Sequence, residues 1–316
     1  SDEVSKKSLF DDEIKDAISR LEPINLQYKS SSSKNKPSVS LVLTLSDWHV
    51  GANITGEETQ GFGNYNYEIA AKRLSNLVTA IVNWVTDLRQ SSNIDECVIL
   101  GLADYIDGLI HDEIRIYSEF GPSEQVAKAG YLLAEFVRQI SSHFKTVRVH
   151  SLSTDNHSRL TKKPMMQGRA DWSLGYLVNE FAKIALEKVK NVKFEIINAI
   201  KGLVEVQNHR FLIEHGNDIK SQLGIPYYGI QRVQGREAMR RMNNPEQTFD
   251  YHVIAHFHTP AFIGNFIMNG ALCGATVFDH SLALNTRPCQ VAFLVHPKWG
   301  VYNFIPFWLD VSRKCV

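Results

Sequence analysis

The stretch Val39-Ser40-Leu41-Val42-Leu43-Thr44-Leu45-Ser46-Asp47-Trp48-His49 is a β-rich apolar run that stops at polar residues. A short run dominated by Val and Leu, with neither Gly nor Pro inside it, fits a strand of a largely parallel, buried sheet. The pair that ends it, Asp47-x-His49, is metal-competent. Side chains two apart at a strand end point to the same side, so both would face one cavity.

The same layout recurs along the chain. Cys97 to Leu102 runs into Ala103-Asp104-Tyr105-Ile106-Asp107-Gly108, and Val147 to Leu152 runs towards Asp155-Asn156-His157-Ser158-Arg159. Phe211-Leu212-Ile213 leads to His215-Gly216-Asn217-Asp218, and Tyr251 to Ala255 leads to His256-Phe257-His258. Helical stripes separate the early runs. Ile69, Leu74, Leu77, Val78, Ile81 and Trp84 recur at helical spacing within 67–89, and further helices are expected over 123–144 and 173–189. Strands alternating with helices of this length predict βαβ units. Shorter β segments around 193–214, 251–255, 262–268, 290–296 and 301–306 predict a second sheet laid against the first. In open α/β sheets ligands bind outside the carboxyl ends of the strands. The polar segments are therefore expected to converge there.

Composition fits this picture. The chain has 316 residues, 44% hydrophobic and 10% aromatic, with 34 Lys+Arg balanced by 34 Asp+Glu. That excludes a disordered, collagen-like or strongly basic protein. Whole-chain neutrality argues against a protein that coats nucleic acid, but it says little about a local site. The apolar runs fall short of a membrane span, and Ser1-Asp2-Glu3 lacks the layout of a signal peptide, so a cytoplasmic setting is expected. Cys97, Cys273, Cys289 and Cys315 are too scattered for a disulfide framework or a thiolate zinc site, and Cys97 reads as a buried thiol.

Three regions are expected: an amphipathic helix within 1–29 (Ile14, Ala17, Ile18, Leu21), a Ser/Lys/Pro linker over 30–38, and a globular body over 39–316. The helix would dock on the body, self-associate or meet a protein partner.

The candidate ligands are carboxylate, carboxamide and imidazole, without thiolate. This donor set suits Mn²⁺, Fe or Zn²⁺ and leaves room for water. The order Asp-x-His, Asp-x-x-Asp, Asn-His, His-Gly, His-x-His resembles the calcineurin-like metallophosphoesterases over about residues 39 to 306. The neighbouring Asn64-Tyr65-Asn66-Tyr67, Asp107-Gly108-Leu109-Ile110-His111 and Thr259-Pro260 resemble phage and prophage members, and the motif order resembles the DNA-repair nuclease branch.

The resemblance implies an α/β fold, a four-layer αββα sandwich with its metal site at the C-terminal ends of the strands. It implies two divalent ions, Mn²⁺ first, with Fe, Zn²⁺ or Mg²⁺ as alternatives. Asp47, His49 and His258 would hold one ion, Asn156, His215 and His256 the other, and Asp104 would bridge them. Ions about 3.5–4 Å apart acidify water and clamp phosphoryl oxygens, so hydrolysis would proceed by attack of a metal-bound hydroxide. His157 would face the leaving group, and Asp107 would orient a ligand from behind.

Three motif glycines are replaced, by Ala103, Asp155 and Ala255. Ala in place of Gly costs strain where φ is positive. Asp155 would act either as an outer acceptor or as a charge repelling an anionic substrate.

Family and site imply phosphoester hydrolysis, with DNA as the expected substrate. Arg159, Lys162, Lys163 and Arg169, and Arg232, Arg236, Arg240 and Arg241, are the candidate contacts to a phosphate backbone, with Tyr227 and Tyr228 as stacking candidates. The alternatives are a phosphatase or phosphodiesterase on a small nucleotide or protein phosphoester, and a metal-binding scaffold of low turnover acting through a protein partner.

Overall fold

The computed structural model describes residue 28 and residues 36–110, 112–163, 169–222, 226–284 and 286–310. The expected N-terminal helix and most of the linker lie outside the described residues, as does Cys315. In chain order the elements are β1 (Ser38–Leu45), α1 (Tyr67–Leu88), β2 (Asn93–Gly101), α2 (Asp112–Tyr117), α3 (Pro122–Ser141), β3 (Thr146–Leu152), α4 (Leu174–Ala185), β4 (Val192–Ile197), β5 (Lys201–Val206) and β6 (His209–Glu214). They continue as α5 (Tyr227–Arg241), β7 (Tyr251–Ile254), β8 (Ala261–Ile263), β9 (Phe266–Met268), α6 (Val277–Ser281), β10 (Cys289–His296) and β11 (Gly300–Trp308).

Two sheets form. The first has the order β11-β10-β1-β2-β3-β4, with β1 to β4 parallel and β10 and β11 added antiparallel beside β1. The second has the order β5-β6-β7-β9-β8, with β6, β7 and β9 parallel.

Alternation along β1 shows how the layers arise. Leu41, Leu43 and Leu45 enter a core shared with the helices, including Leu74, Leu77 and Ile81 of α1, Leu133 and Phe136 of α3, and Val178 of α4. Val42 points the other way, into a core with Val204, Phe211, Ile213, Val253 and Ile267 of the second sheet. The outer face of that sheet carries a third cluster, in which Ile230 of α5 meets Ile254, Phe266 and Met268. The result is helix, sheet, sheet, helix, the four-layer α/β sandwich expected.

Local signals place the helices. Asn66 caps α1 by accepting from the Ile69 N–H at 2.9 Å, Pro122 opens α3, and Ser173 caps α4. Arg73 of α1 is buried and donates to the carbonyls of Leu272 and Cys273 at 2.8 Å each, anchoring the loop that runs beneath the site.

Two expected strands divide. The 193–214 segment becomes β4 on the first sheet and the β5–β6 hairpin on the second, and 262–268 becomes the β8–β9 hairpin turning at Gly264, where φ is +63°. The 109–122 connection contains α2. Cys97, Cys273 and Cys289 are buried and free. Among the described residues, no helix is long and apolar enough to cross a membrane.

Candidate metal centre

Every polar segment singled out in the sequence follows the carboxyl end of a parallel strand. Asp47 and His49 follow β1, Asp104 and Asp107 follow β2, Asn156 and His157 follow β3, His215 follows β6, and His256 and His258 follow β7. Backbone bonds lace the first two loops together, Trp48 N–H to Asp104 O at 2.8 Å and Val50 N–H to Tyr105 O at 2.9 Å. The third link crosses the sheets: His215 Nδ1 lies 2.8 Å from Leu102 O.

This convergence is strained. Asp47, His49, Ala103, Asp104, His256 and His258 all have φ between +47° and +71°. The left-handed region costs non-glycine residues roughly 1–2 kcal/mol each, and such strain gathers at functional sites. Ala103, which stands where the resembling motif has glycine, is one of them. Ala255 is not.

Three groups of potential ligand atoms lie within 4.8 Å of one another: Asp47 with His49 and His258, His49 with Asp104 and His157, and Asp104 with His215 and His256. Asn156 joins the last, its Oδ1 lying 3.1 Å from His215 Nε2. Carbonyl oxygens only accept, so His215 Nδ1 carries the proton it donates to Leu102, and Nε2 is the atom presented to Asp104 Oδ2 at 3.0 Å. On the other flank His258 Nδ1 meets Asp279 Oδ2 at 3.3 Å, which turns Nε2 towards Asp47 Oδ1, 3.6 Å away.

The buried groups set one another's charge. Burial would raise Asp104, but His215, His157 and His49 outweigh it and hold the carboxyl well below its usual value. Burial also opposes ionisation of Asp47, and His258 with His215 reverses that effect. Burial would lower His215, yet Asp104 and Asp47 push it up to about 10. His258 is raised against burial by Asp279 and Asp47. His49 and His256 are held down to about 3, by burial first and then by His157 and His215 respectively. Protons on His215 and His258 thus balance Asp47 and Asp104, while His49 and His256 keep free lone pairs.

The donor set fits divalent cations. Asp47 Oδ1 and His49 Nε2 are buried and have no hydrogen-bond partner among the described residues, although buried polar atoms are nearly always paired. Both belong to the first ligand group. A divalent cation would satisfy these atoms and displace the balancing protons.

The other expected residues lie partly in the loops of this centre and partly away from it. Asp107 offers its carbonyl to His157 Nδ1 at 2.7 Å, and its carboxylate lies 3.8 Å from His49 Nδ1; burial pushes that carboxyl up to about 6. Asp155 ties its own loop to the one after β2: it accepts from the Asp104 N–H at 3.0 Å, the Ser158 N–H at 2.5 Å and the Ser158 hydroxyl at 2.9 Å. Burial, then the charge of Asp104, pushes it up to about 7. Arg159 spends donors on the carbonyls of Asn156, Thr161 and Lys162, bracing the loop. Lys162, Lys163 and Arg236 are exposed, and Arg236 lies on α5 beyond the second sheet.

Two supports were absent from the sequence reading. Asp279 orients His258, and its only local signal is the capping box Thr276-x-x-Asp279 that opens α6. A relay also reaches Asp47: Gln290 accepts from the Ser46 N–H at 2.9 Å, Asn269 donates to the Ser46 hydroxyl at 2.8 Å, and that hydroxyl donates to Asp47 Oδ2 at 2.6 Å. Asn269 and Gln290 lie more than 200 residues from Ser46 in sequence and have no motif.

No family model matches the chain. It is 24% identical over 234 residues to the SPbeta prophage-derived uncharacterized protein YonJ of Bacillus subtilis strain 168, covering 71% of this chain and 51% of that protein. The chain therefore spans about half the length of the curated relative it matches. Among solved structures, it is similar to Vps29 complexed with Zn²⁺ from Entamoeba histolytica, at 13% identity and a TM-score of 0.33, covering 85% of this chain and 99% of that one. It is also similar to a conserved uncharacterized protein, a predicted phosphoesterase, from Streptococcus pneumoniae TIGR4, at 10% identity and a TM-score of 0.28, covering 56% and 90%. A third is the sulfate thiohydrolase SoxB from Thermus thermophilus, at 8% identity and a TM-score of 0.35, covering 88% and 58%.

Proposed function

We propose that this chain is a dinuclear-metal phosphodiesterase of the calcineurin-like kind. Asp47, His49 and His258 would hold one divalent ion, Asn156, His215 and His256 the other, with Asp104 between them. The observation that supports this most is the linked set of ligand groups, in which Asp104 and His49 each belong to two. When bound, the ions supply Lewis-acid stabilisation of phosphoryl oxygens and an acidified water.

The chain's own groups divide the remaining work. His157 donates from Nδ1 to the Asp107 carbonyl, which fixes the ring and leaves Nε2 to give a proton to a leaving oxygen. Asp155 holds the Asn156-His157 turn against the Asp104 backbone. Asp279 keeps His258 Nε2 directed at Asp47, and the Ser46 hydroxyl occupies Asp47 Oδ2 so that Oδ1 faces inward.

The test is hydrolysis of bis-p-nitrophenyl phosphate by chelator-stripped protein resupplied with Mn²⁺, Mg²⁺, Zn²⁺ or Fe²⁺. Metal-dependent turnover is expected, abolished by Asp104→Asn and reduced about 10²–10⁴-fold by His157→Ala. A rate unaffected by stripping or by Asp104→Asn would overturn the assignment. Tight metal binding without turnover on any phosphoester would favour the scaffold reading.

A further inference from the structure

Helix α5 carries a feature that the metal centre does not use. Arg232, Arg236 and Arg240 stand four residues apart on one exposed side. Each step rises about 6 Å, close to the separation of successive phosphates in an extended strand. The helix's single acid, Glu237, is turned inward: Lys201, Arg240 and Arg241 lie 3.3, 3.0 and 2.9 Å from its carboxylate. The outward side is therefore positive.

Two further observations point to a ligand on this side. Tyr228 precedes Arg232 by one turn, is 74% exposed, and has the Arg232 guanidinium 5.7 Å from its ring centroid. An aromatic face beside cations is what an unpaired base stacks on. Gly235 lies between Arg232 and Met239 at an exposed mid-helix position, where an added Cβ would meet nothing within 4 Å. Glycine is a poor helix former, and packing gives no reason for it here. A bare backbone does admit close approach by a ligand.

Ile230, near the start of α5, belongs to the cluster against which Phe257 packs, and Phe257 lies between His256 and His258. The start of the helix and the His256-Phe257-His258 segment thus share one apolar cluster.

Resting on the phosphoesterase reading above, we propose that α5 is the track along which a single-stranded polynucleotide lies as it enters the metal centre. Arg232, Arg236 and Arg240 take successive phosphates, Tyr228 stacks on a base, and the gap at Gly235 lets the strand lie against the helix. One row of arginines matches one backbone.

The experiment reads binding apart from turnover. Anisotropy of a fluorescently labelled oligothymidylate is followed with chelator-stripped full-length chain over a KCl series. Wild type should bind with a linear log–log salt dependence. The combined Arg232→Gln, Arg236→Gln and Arg240→Gln variant should lower that slope by about 2, since each phosphate contact to a single strand contributes about 0.7. Its melting temperature should fall only slightly, because Lys201 and Arg241 still hold Glu237 when Arg240 is gone. Gly235→Leu should keep the slope and weaken binding several-fold, because it blocks the surface without removing charge. Failure of wild type to bind, an unchanged slope in the triple variant, or preferential binding to phosphatidylserine vesicles that the oligonucleotide does not displace would each overturn the track. Absence of bis-p-nitrophenyl phosphate hydrolysis would sink the phosphoesterase reading and leave this binding measurement standing.

Discussion

Ala103 and Ala255 form a matched pair for measuring the strain at the metal centre. Both are fully buried in the core between the sheets, and each precedes a candidate ligand, Asp104 and His256 respectively. They differ in backbone: Ala103 has φ +70°, whereas Ala255 is not in the left-handed region. Truncation to glycine removes one buried methyl, worth about 0.8 kcal/mol. It also frees the unfolded chain, which costs a further ~0.4–1 kcal/mol. At Ala255 nothing offsets these, so Ala255→Gly should destabilise by about 1–2 kcal/mol. At Ala103 the same losses are met by relief of roughly 1–2 kcal/mol of left-handed strain, so Ala103→Gly should be close to neutral. The common contributions cancel in the comparison, leaving a gap of about 1–2 kcal/mol that reports strain alone. Urea unfolding in the presence of a chelator, fitted with a shared slope, measures it. Equal destabilisation by the two substitutions would refute the claim that the Asp104 loop is held under backbone strain.

Three other substitutions probe separate parts of the account. Asp279→Asn should weaken metal binding about 10–100-fold, read by chelator competition, because His258 loses the carboxylate that orients it; unchanged affinity would remove Asp279 from the site. Gly108 has φ +73° and an added Cβ would sit 2.0 Å from the His157 carbonyl, so Gly108→Ala should displace His157 and cut phosphodiester turnover while metal content stays; full turnover would show that the position of His157 does not matter. Burial would raise Glu237, but Arg241, Lys201 and Arg240 hold it below 4.5. A carboxyl depressed on folding confers stability above its unfolded value and loses it as pH falls. Glu237→Gln should therefore flatten the decline of melting temperature below pH about 4.5, and parallel wild-type and variant curves would contradict this.

Much of the fold was legible because buried parallel strands are written locally. Val39 to Leu45, Cys97 to Leu102 and Val147 to Leu152 are apolar runs that end in polar pairs, and the structure places all three side by side in one sheet. The ligand candidates were legible for the same reason, since each follows its strand directly in sequence. The supports behind them were not. Asn269, just after β9, and Gln290 of β10 reach Ser46 across the join between the sheets, a distance that no periodicity encodes. Asp279 sits in a capping box whose ordinary purpose, closing a helix end, hides its second contact to His258. Arg159 read as a substrate contact because charge is visible in sequence, whereas the carbonyls it binds become neighbours only once the loop has folded. The split of 193–214 between two sheets is not written in the sequence, because alternation reports a strand without saying which sheet takes it.

The count of ions tests the central claim most directly. The chelator-stripped chain is dialysed against Mn²⁺, and protein-bound metal is measured by mass spectrometry for wild type, Asp104→Asn and Glu237→Gln. Two ions per chain in wild type and Glu237→Gln, falling below two in Asp104→Asn at the same free Mn²⁺, is the result this account predicts. One ion or none in wild type, or two retained in Asp104→Asn, would contradict it.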